Sequence, residues 1–232
     1  MINTVHLWDC LEVMKSIPDG SIDAIITDCP YGTTKCSWDQ VIPFDLMWEQ
    51  LKRIIKPNGA IVLFWSEPFS SALRMSNIKQ YKYDWVWEKS DPSWFMNAKI
   101  SPIRNVENII LFWDFKLRPQ LLWTHTYNPQ WLIIYDKVVN QKRKKFSENS
   151  SARVSASSNF YQKYTNYPKQ ILRFSNDKWV NKYHPTQKPV ALIEYLIKTY
   201  TNEWETVLDF TAGSWTTWVA CKNTNRNYIL IE

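Results

Sequence analysis

Thr27-Asp28-Cys29-Pro30-Tyr31-Gly32 follows directly on the apolar run Ile22-Asp23-Ala24-Ile25-Ile26, and the architecture of the chain can be built outward from this junction. A short apolar run before a turn predicts a buried strand. That strand ends in a carboxylate, a proline and an aromatic residue, and open α/β sheets bind their ligands at the carboxyl ends of strands. Pro30 fixes its own φ and favours an extended Cys29, so we expect a turn of defined shape.

The groups of this turn suit a planar amine. Asp28 can accept an N–H, the Pro30 carbonyl is a second acceptor, and the ring of Tyr31 offers a face for stacking. The same residue types also occur as ordinary punctuation where a strand leaves a sheet. The rest of the chain has to decide between these two interpretations.

A second unusual stretch, Tyr183-His184-Pro185-Thr186-Gln187-Lys188-Pro189, precedes a helix that is predicted over residues 190–200. Pro189 suits the first turn of that helix. The apolar positions of the helix are spaced for one face, at Leu192, Ile193, Leu196 and Ile197. A loop that merely enters a helix, with His184 at the surface, is the alternative.

Further along, a predicted strand over residues 206–208 leads into Asp209-Phe210-Thr211-Ala212-Gly213-Ser214-Trp215-Thr216-Thr217. Strand, small-residue turn and helix start form the nucleotide-binding corner of Rossmann-like folds, where the backbone and the helix N–H groups approach the ligand. A strand over residues 228–231 then ends in Glu232, about 20 residues past the turn, as expected for a ribose-binding carboxylate. A frayed chain end is the alternative for Glu232, and a further helix is expected after it.

These three stretches together resemble the amino-methyltransferases, which methylate the exocyclic amine of adenine or cytosine in DNA with S-adenosylmethionine. The first is similar to their Asp-Pro-Pro-Tyr motif, with Cys29 in place of the first proline. The second matches their His-Pro-Thr-Gln-Lys-Pro signature, and the third their Phe-x-Gly-x-Gly turn, with Trp215 where the second Gly belongs. Their order resembles the circularly permuted class, and the resemblance covers nearly the whole chain.

The resemblance implies a Rossmann-like α/β methyltransferase fold, with a mostly parallel sheet, an antiparallel edge and a DNA-recognition insert. Strands predicted over residues 81–88 and 108–113 would form the antiparallel edge. We expect residues 1–114 to be the catalytic half, residues 115–182 a basic target-recognition insert and residues 183–232 the cofactor-binding half. Residues 115–180 show no clear periodicity.

The same resemblance assigns the chemistry. Asp28 and the Pro30 carbonyl accept the amine hydrogens of a flipped base, and Tyr31 stacks on it. Asp at the start of the motif favours adenine N6 over cytosine N4, and no metal is expected. The expected cofactor-binding residues are Asp9, Asp28, His184, Thr186, Lys188, Asp209, Phe210, Thr211, Ala212, Gly213, Ser214, Trp215 and Glu232. Asp9 suits equally well the N-cap of a short helix predicted over residues 10–17.

Charge and composition are consistent with a polyanionic partner. The net charge is +6, and residues 115–182 hold thirteen Lys or Arg, among them the run Lys142-Arg143-Lys144-Lys145, but only three acids. Basic residues with interleaved aromatics suit phosphate contact and base stacking, although a solvated loop is the alternative. Double-stranded DNA is therefore the expected partner, with a homodimer and a cognate restriction endonuclease as further partners that the resemblance allows.

Other features narrow the class of protein. No apolar run reaches the ~18 residues of a membrane span, and the four cysteines are scattered without a CxxC pair, so we expect a cytoplasmic protein without membrane, metal or disulfide. Methylation of RNA or of a free amine is an alternative of the same chemistry. A catalytically dead DNA-binding protein is an alternative of another class, and large side chains at Trp215 and Trp218 would favour it.

Tryptophan and glycine depart from ordinary composition in opposite directions. The chain has 14 Trp and 4 Gly, whereas an average chain of this length carries roughly sixteen Gly. Nine tryptophans stand in turn-like or small-residue settings, where Gly is usual because it tolerates positive φ. These nine are Trp8, Trp65, Trp94, Trp123, Trp131, Trp179, Trp204, Trp215 and Trp218.

We predict that one codon, read as Trp in this sequence, encodes Gly in the source. Nine more glycines would bring the count to thirteen, close to the ordinary value. An aromatic-rich chain with packed tryptophans is the alternative. The tryptophans expected to be genuine are Trp38, Trp48, Trp85, Trp87 and Trp113.

Overall fold

The structure is a computed structural model, and it describes residues 2–32, 39–93, 97–113, 125–141, 158–175 and 187–232. The chain divides into two compact units, one formed by Met1–Asn128 with Gln170–Glu232 and the other by Pro129–Lys169. The elements in chain order are β1 (Thr4–His6), α1 (Cys10–Lys15), β2 (Ile22–Asp28), α2 (Phe44–Ile54), β3 (Ile55–Trp65), α3 (Phe69–Ser76), β4 (Tyr81–Ser93), β5 (Arg104–Phe112), β6 (Ile133–Gln141), β7 (Ser158–Thr165), β8 (Ile171–Phe174), α4 (Val190–Tyr200), β9 (Thr206–Asp209), α5 (Thr216–Asn223) and β10 (Asn227–Ile231).

The first unit is built on an eight-stranded sheet with the strand order β1-β10-β9-β2-β3-β5-β4-β8. Pairing is parallel from β1 through β3, and β5 is antiparallel to both β3 and β4. The predicted α/β fold, with a mostly parallel sheet and antiparallel strands, is confirmed. The carboxyl ends of the parallel strands therefore share one edge of the sheet.

Helices cover both faces of this sheet. On one face α4 and α5 enclose a core with Leu196 and Cys221, and on the other α1, α2 and α3 enclose a core with Met14 and Leu51. Strand β2 is buried along nearly its whole length, as expected for a parallel strand that is covered on two sides. No helix within the described ranges is long and apolar enough to cross a membrane.

Residues 115–180, whose sequence shows no clear periodicity, nevertheless contain the regular strands β6, β7 and β8. In the second unit β6 and β7 pair as an antiparallel hairpin, whereas β8 pairs with β4 in the first unit. Neighbouring residues Ile133 and Ile134 are both exposed. Apolar residues at successive positions interrupt the alternation of apolar and polar residues from which a half-buried strand is predicted.

The backbone bears directly on the unusual tryptophans. Trp131, Trp204 and Trp215 adopt φ angles of 59°, 68° and 63°. A bulky L-residue at positive φ is an outlier, whereas Gly takes this conformation without a steric cost. These three positions therefore support the prediction that Gly belongs there.

Burial separates the two groups of tryptophans as well. The genuine set is buried at all its described members, Trp48, Trp85, Trp87 and Trp113, whereas Trp8, Trp131, Trp204, Trp215 and Trp218 are exposed. Trp65 is the exception, because it is buried, but its indole N–H meets no hydrogen-bond acceptor among the described atoms. The remaining members, Trp38, Trp94, Trp123 and Trp179, lie outside the described residues.

Candidate active site

The turn after β2 and the corner after β9 are adjacent because their strands pair in parallel, with Ile25 opposite Leu208. The Thr211 hydroxyl donates a hydrogen bond to the Asp28 carbonyl oxygen at 3.1 Å. The Phe210 N–H donates to the Thr27 hydroxyl oxygen at 3.0 Å. Two segments that are far apart in sequence thus meet through direct hydrogen bonds at one edge of the sheet.

The turn after Asp28 is held in shape by a residue that sequence reasoning missed. Asp39 is buried, and its Oδ1 accepts the N–H groups of Tyr31 and Gly32, each at 2.8 Å. Gly32 has a φ of 67°, which favours Gly. Nothing local in the sequence singles out this carboxylate.

Asp28 lies in a partly buried cluster of charges. Its Oδ1 accepts a hydrogen bond from the Tyr31 hydroxyl, and its Oδ2 accepts one from Lys188 Nζ at 2.6 Å. Lys188 Nζ also lies 2.8 Å from Glu107 Oε1, and Lys89 Nζ lies 2.7 Å from Glu107 Oε2. We refer to Asp28, Tyr31, Lys89, Glu107 and Lys188 as the charge cluster.

The cluster shifts the ionisation of its own members. Burial raises the pKa of Asp28, and the Lys188 ammonium opposes that rise. Burial also disfavours ionisation of Glu107, but the ammonium groups of Lys188 and Lys89 outweigh it and hold the pKa of Glu107 below its ordinary value. Burial alone would lower the pKa of Lys188, yet Asp28 and Glu107 raise it. The charged forms of Glu107 and Lys188 are therefore both favoured by their pairing.

Asp209 anchors the corner after β9. Its Oδ1 accepts from the Thr27 hydroxyl and from the Thr211 N–H at 3.2 Å, and its Oδ2 accepts from the Thr217 hydroxyl at 2.6 Å. Burial raises the pKa of Asp209 to about 6, despite these donors. The predicted cofactor residue thus holds together β2, the corner and α5.

The small-residue turn has the backbone that a close ligand requires. Gly213 has a φ of 47°, and its N–H donates to Glu232 Oε2 at 2.6 Å. Trp215 is the N-cap of α5, and among the described residues no side chain caps that helix. Phe210 and Ala212 are buried. The hydroxyl groups of Ser214 and Thr216 form a hydrogen bond at 2.9 Å.

The other predicted cofactor residues have different outcomes. Asp9 is the N-cap of α1, since its Oδ1 accepts the N–H groups of Leu11 and Glu12 at 2.8 and 3.1 Å. The strand that precedes Asp9, β1, ends beside Glu232, at the same edge of the sheet as the corner after β9. His184 and Thr186 lie outside the described residues. Lys188 joins the charge cluster, where its Nζ contacts Asp28 in the turn after β2.

The residues present fit a nucleoside cofactor. Because no side chain among the described residues caps the start of α5, the first N–H groups of that helix can bind a ligand, and the Glu232 carboxylate follows the neighbouring strand β10. A carboxylate at that place suits ribose hydroxyls. A Rossmann-like sheet with such a corner beside an Asp-x-Pro-Tyr turn defines a methyltransferase that uses S-adenosylmethionine. The DNA methylase family of the N6/N4 type matches residues 22–232, and the chain belongs to this family.

Individual relatives agree with this assignment. The chain is 27% identical over 245 residues to the type II methyltransferase M.HpaI of Haemophilus parainfluenzae, across 97% of this chain and 68% of that protein. It is 25% identical over 254 residues to the type II methyltransferase M1.MboII of Moraxella bovis, across 98% of this chain and 90% of that protein. The chain is thus similar to bacterial type II methyltransferases over nearly its full length.

Solved structures show the same fold. The complex of M1.HpyAVI with S-adenosylmethionine has a TM-score of 0.64 and 25% identity, covering 99% of this chain and 92% of that one. The cytosine-N4-specific PvuII DNA methyltransferase has a TM-score of 0.69 at 17% identity, covering 100% and 82%, and shows the fold alone. The protein is therefore a DNA methyltransferase of the N4/N6 family, and S-adenosylmethionine is its cofactor. Within the described ranges, no group of three or more His, Cys, Asp or Glu side chains is placed to hold a metal ion.

Proposed function

We propose that the protein methylates N6 of adenine in double-stranded DNA, after the base has been flipped out of the duplex. The observation that carries this proposal is the hydrogen bond between the Thr211 hydroxyl and the Asp28 carbonyl oxygen. That contact joins the corner expected to hold the cofactor to the turn expected to hold the base. Residues 209–215, with Asp9, His184, Thr186, Lys188 and Glu232, would hold S-adenosylmethionine.

The chain's own contribution is to position the amine. The Asp28 carboxylate and the Pro30 carbonyl accept its two N–H groups, which directs the nitrogen lone pair towards the cofactor corner. Bound S-adenosylmethionine supplies a methyl group on a sulfonium, which is a good leaving group. Positioning of this kind can account for most of the acceleration of a displacement between two bound partners.

The two Asp28 oxygens already accept from the Tyr31 hydroxyl and from Lys188 Nζ. Each carboxylate oxygen has two lone pairs, so the carboxylate can accept a further N–H from the base. The Tyr31 ring lies against Trp65, with ring centroids 5.4 Å apart and a tilt of 41°. We propose that the base stacks on Tyr31.

Recognition of DNA is assigned to the basic insert, residues 115–182. Within the second unit, Lys137 lies over the Tyr135 ring at 5.3 Å and Lys163 over the Tyr164 ring at 5.3 Å. Exposed aromatic and basic side chains suit contact with bases and phosphates. The run of residues 142–145 lies outside the described ranges.

Adenine is proposed over cytosine because the motif begins with Asp28, and the fold itself is shared with a cytosine-N4-specific enzyme. Since the relatives are named type II methyltransferases, we further propose a role in restriction and modification, in the cytoplasm, beside a cognate endonuclease. A homodimer is the oligomer to test by light scattering.

Analysis of nucleosides tests this function. Duplex DNA is incubated with the protein and S-adenosylmethionine, digested, and examined by mass spectrometry. We expect N6-methyladenine, no methylation of an RNA of the same sequence, and no product from Asp28→Ala, while that variant still binds the cofactor in calorimetry. N4-methylcytosine as the product would reject the adenine assignment, and full activity of Asp28→Ala would reject the role of the carboxylate.

A further inference from the structure

Glu107 belongs to none of the sequence motifs, yet it stands at the centre of the charge cluster. It lies on β5, pairs with Trp87 on β4, and is 4% exposed. The strand continues with the buried Ile109, Ile110 and Leu111. A carboxylate in such a strand costs free energy unless it is paired, and apolar residues of similar size usually stabilise a fold at least as well. A role besides stability would account for a carboxylate at this buried position.

The contacts of Glu107 point to that role. The Lys188 ammonium bridges Asp28 Oδ2 at 2.6 Å and Glu107 Oε1 at 2.8 Å, so the two carboxylates share one cation. Lys89 holds the other oxygen, Oε2, of Glu107 at 2.7 Å. The Tyr31 hydroxyl lies 3.4 Å from Glu107 Oε1. Glu107 thus contacts both side chains that hydrogen-bond to the Asp28 carboxylate, Tyr31 and Lys188.

We propose that Glu107 is a positioning residue for the methyl transfer described above: it shares the Lys188 ammonium with Asp28 and so sets the place and basicity of the Asp28 carboxylate. This inference rests on the proposed function. Without Glu107, the ammonium would pair with Asp28 alone and would make that carboxylate a weaker acceptor. With it, the ammonium is shared, and Asp28 is the more basic acceptor for the proton that the amine releases after methylation.

The charged and titratable groups facing Asp28 come from several elements. They are Cys29 and Tyr31 on its own turn, Lys188 before α4, Glu107 on β5, Lys89 beyond it on β4, and Asp209 at the end of β9. Removing one negative charge from this set should favour the ionised form of Asp28. Removing one positive charge should do the opposite.

Two substitutions with opposite expected effects test the proposal. Glu107→Gln keeps the size and removes a negative charge, and Lys89→Gln removes a positive charge at a partly exposed position. Single-turnover methyl transfer to duplex DNA is measured against pH with saturating S-adenosylmethionine. We expect the acid limb to move to lower pH by roughly one unit or more in Glu107→Gln, and to higher pH in Lys89→Gln.

Glu88→Gln is the matched control. Glu88 lies on the same strand as Lys89, and its carboxylate pairs with Arg173 at the surface, so the same substitution there should leave the acid limb in place. Shifts of the same sign in Glu107→Gln and Lys89→Gln, or no shift in either folded variant, would overturn the proposal. If Glu107→Gln does not fold, an unmoved or lowered acid limb in Lys89→Gln still overturns it.

A second measurement separates this inference from the proposed function. The carboxyl carbon of Asp28, labelled with ¹³C and assigned with Asp28→Asn, is titrated by NMR in the free protein. Opposite shifts of its midpoint in the two variants support the shared ammonium even if the wild-type chain transfers no methyl group to DNA. Equal midpoints in an active enzyme reject Glu107 and leave the proposed function intact.

Discussion

Trp204 lies in the turn between α4 and β9, where its φ of 68° places a large L-residue in the left-handed region. Its side chain is 70% exposed, so little buried surface is lost when it is removed. Its N–H donates to the Asn225 carbonyl oxygen at 2.7 Å, and its carbonyl accepts from the Asn227 amide, so any residue keeps these bonds. Trp204→Gly and Trp204→Ala therefore differ mainly in how each tolerates this backbone.

The magnitude follows from two opposing terms. Left-handed backbone costs an L-residue about 1–2 kcal/mol, and Gly escapes this cost. Gly also lowers the free energy of unfolding by about 0.4–1 kcal/mol relative to Ala, because the unfolded chain has more conformational freedom with Gly. We expect Trp204→Gly to exceed Trp204→Ala by roughly 1 kcal/mol in free energy of unfolding, which corresponds to about 2–4 °C in Tm for a chain of this size.

Equilibrium unfolding in urea measures this difference, and Trp8 provides the matched control. Trp8 is 72% exposed but does not have positive φ. At Trp8 the order should invert, with Gly less stable than Ala by about 0.4–1 kcal/mol. Ala equal to or above Gly at residue 204 would refute the claim that this backbone favours Gly.

Two further predictions follow from the corner after β9. In calorimetry, the double variant Trp215→Gly/Trp218→Gly should bind S-adenosylmethionine more tightly than the unsubstituted chain. In mass spectrometry, peptides of the natural protein should show the mass of Gly at both positions. The mass of Trp at these positions would reject the codon hypothesis. Asp209 has a folded pKa of about 6 against an ordinary 3.8, so the folded state binds its proton more tightly. The free energy of unfolding should therefore fall as pH rises from about 4 to about 6, by up to about 3 kcal/mol. Asp209→Asn should lack this part of the pH dependence. Identical pH slopes in the variant and the wild-type protein would contradict the raised pKa of Asp209.

Local signals made much of the fold predictable. The apolar run of β2 and the one-sided stripe of α4 are visible in single windows of sequence, and both elements form where the pattern predicts. The observed helix ends differ from the predicted ones by one or two residues. For example, α1 ends at Lys15, whereas the prediction was residue 17. The hairpin of β6 and β7 escaped detection because exposed apolar side chains occur at successive positions.

Some residues of the candidate site are marked by sequence motifs and others are not. Asp28, Lys188 and the corner at Asp209 were predicted because motifs mark them, whereas Glu107 and Lys89 stand in strands that give no chemical signal. Their role appears when β4 pairs with β5 and when Lys188, 160 residues beyond Asp28, reaches the same place. Burial and pairing of a single charge depend on such distant contacts, which no window of sequence contains.

A crystal structure of the protein with bound S-adenosylmethionine tests most directly whether the two turns form one active site. We expect the cofactor along residues 209–215, with its sulfonium methyl facing the Asp28 carboxylate and the Pro30 carbonyl. A cofactor bound with its methyl on the side away from Asp28, or bound elsewhere on the chain, would contradict the proposed mechanism.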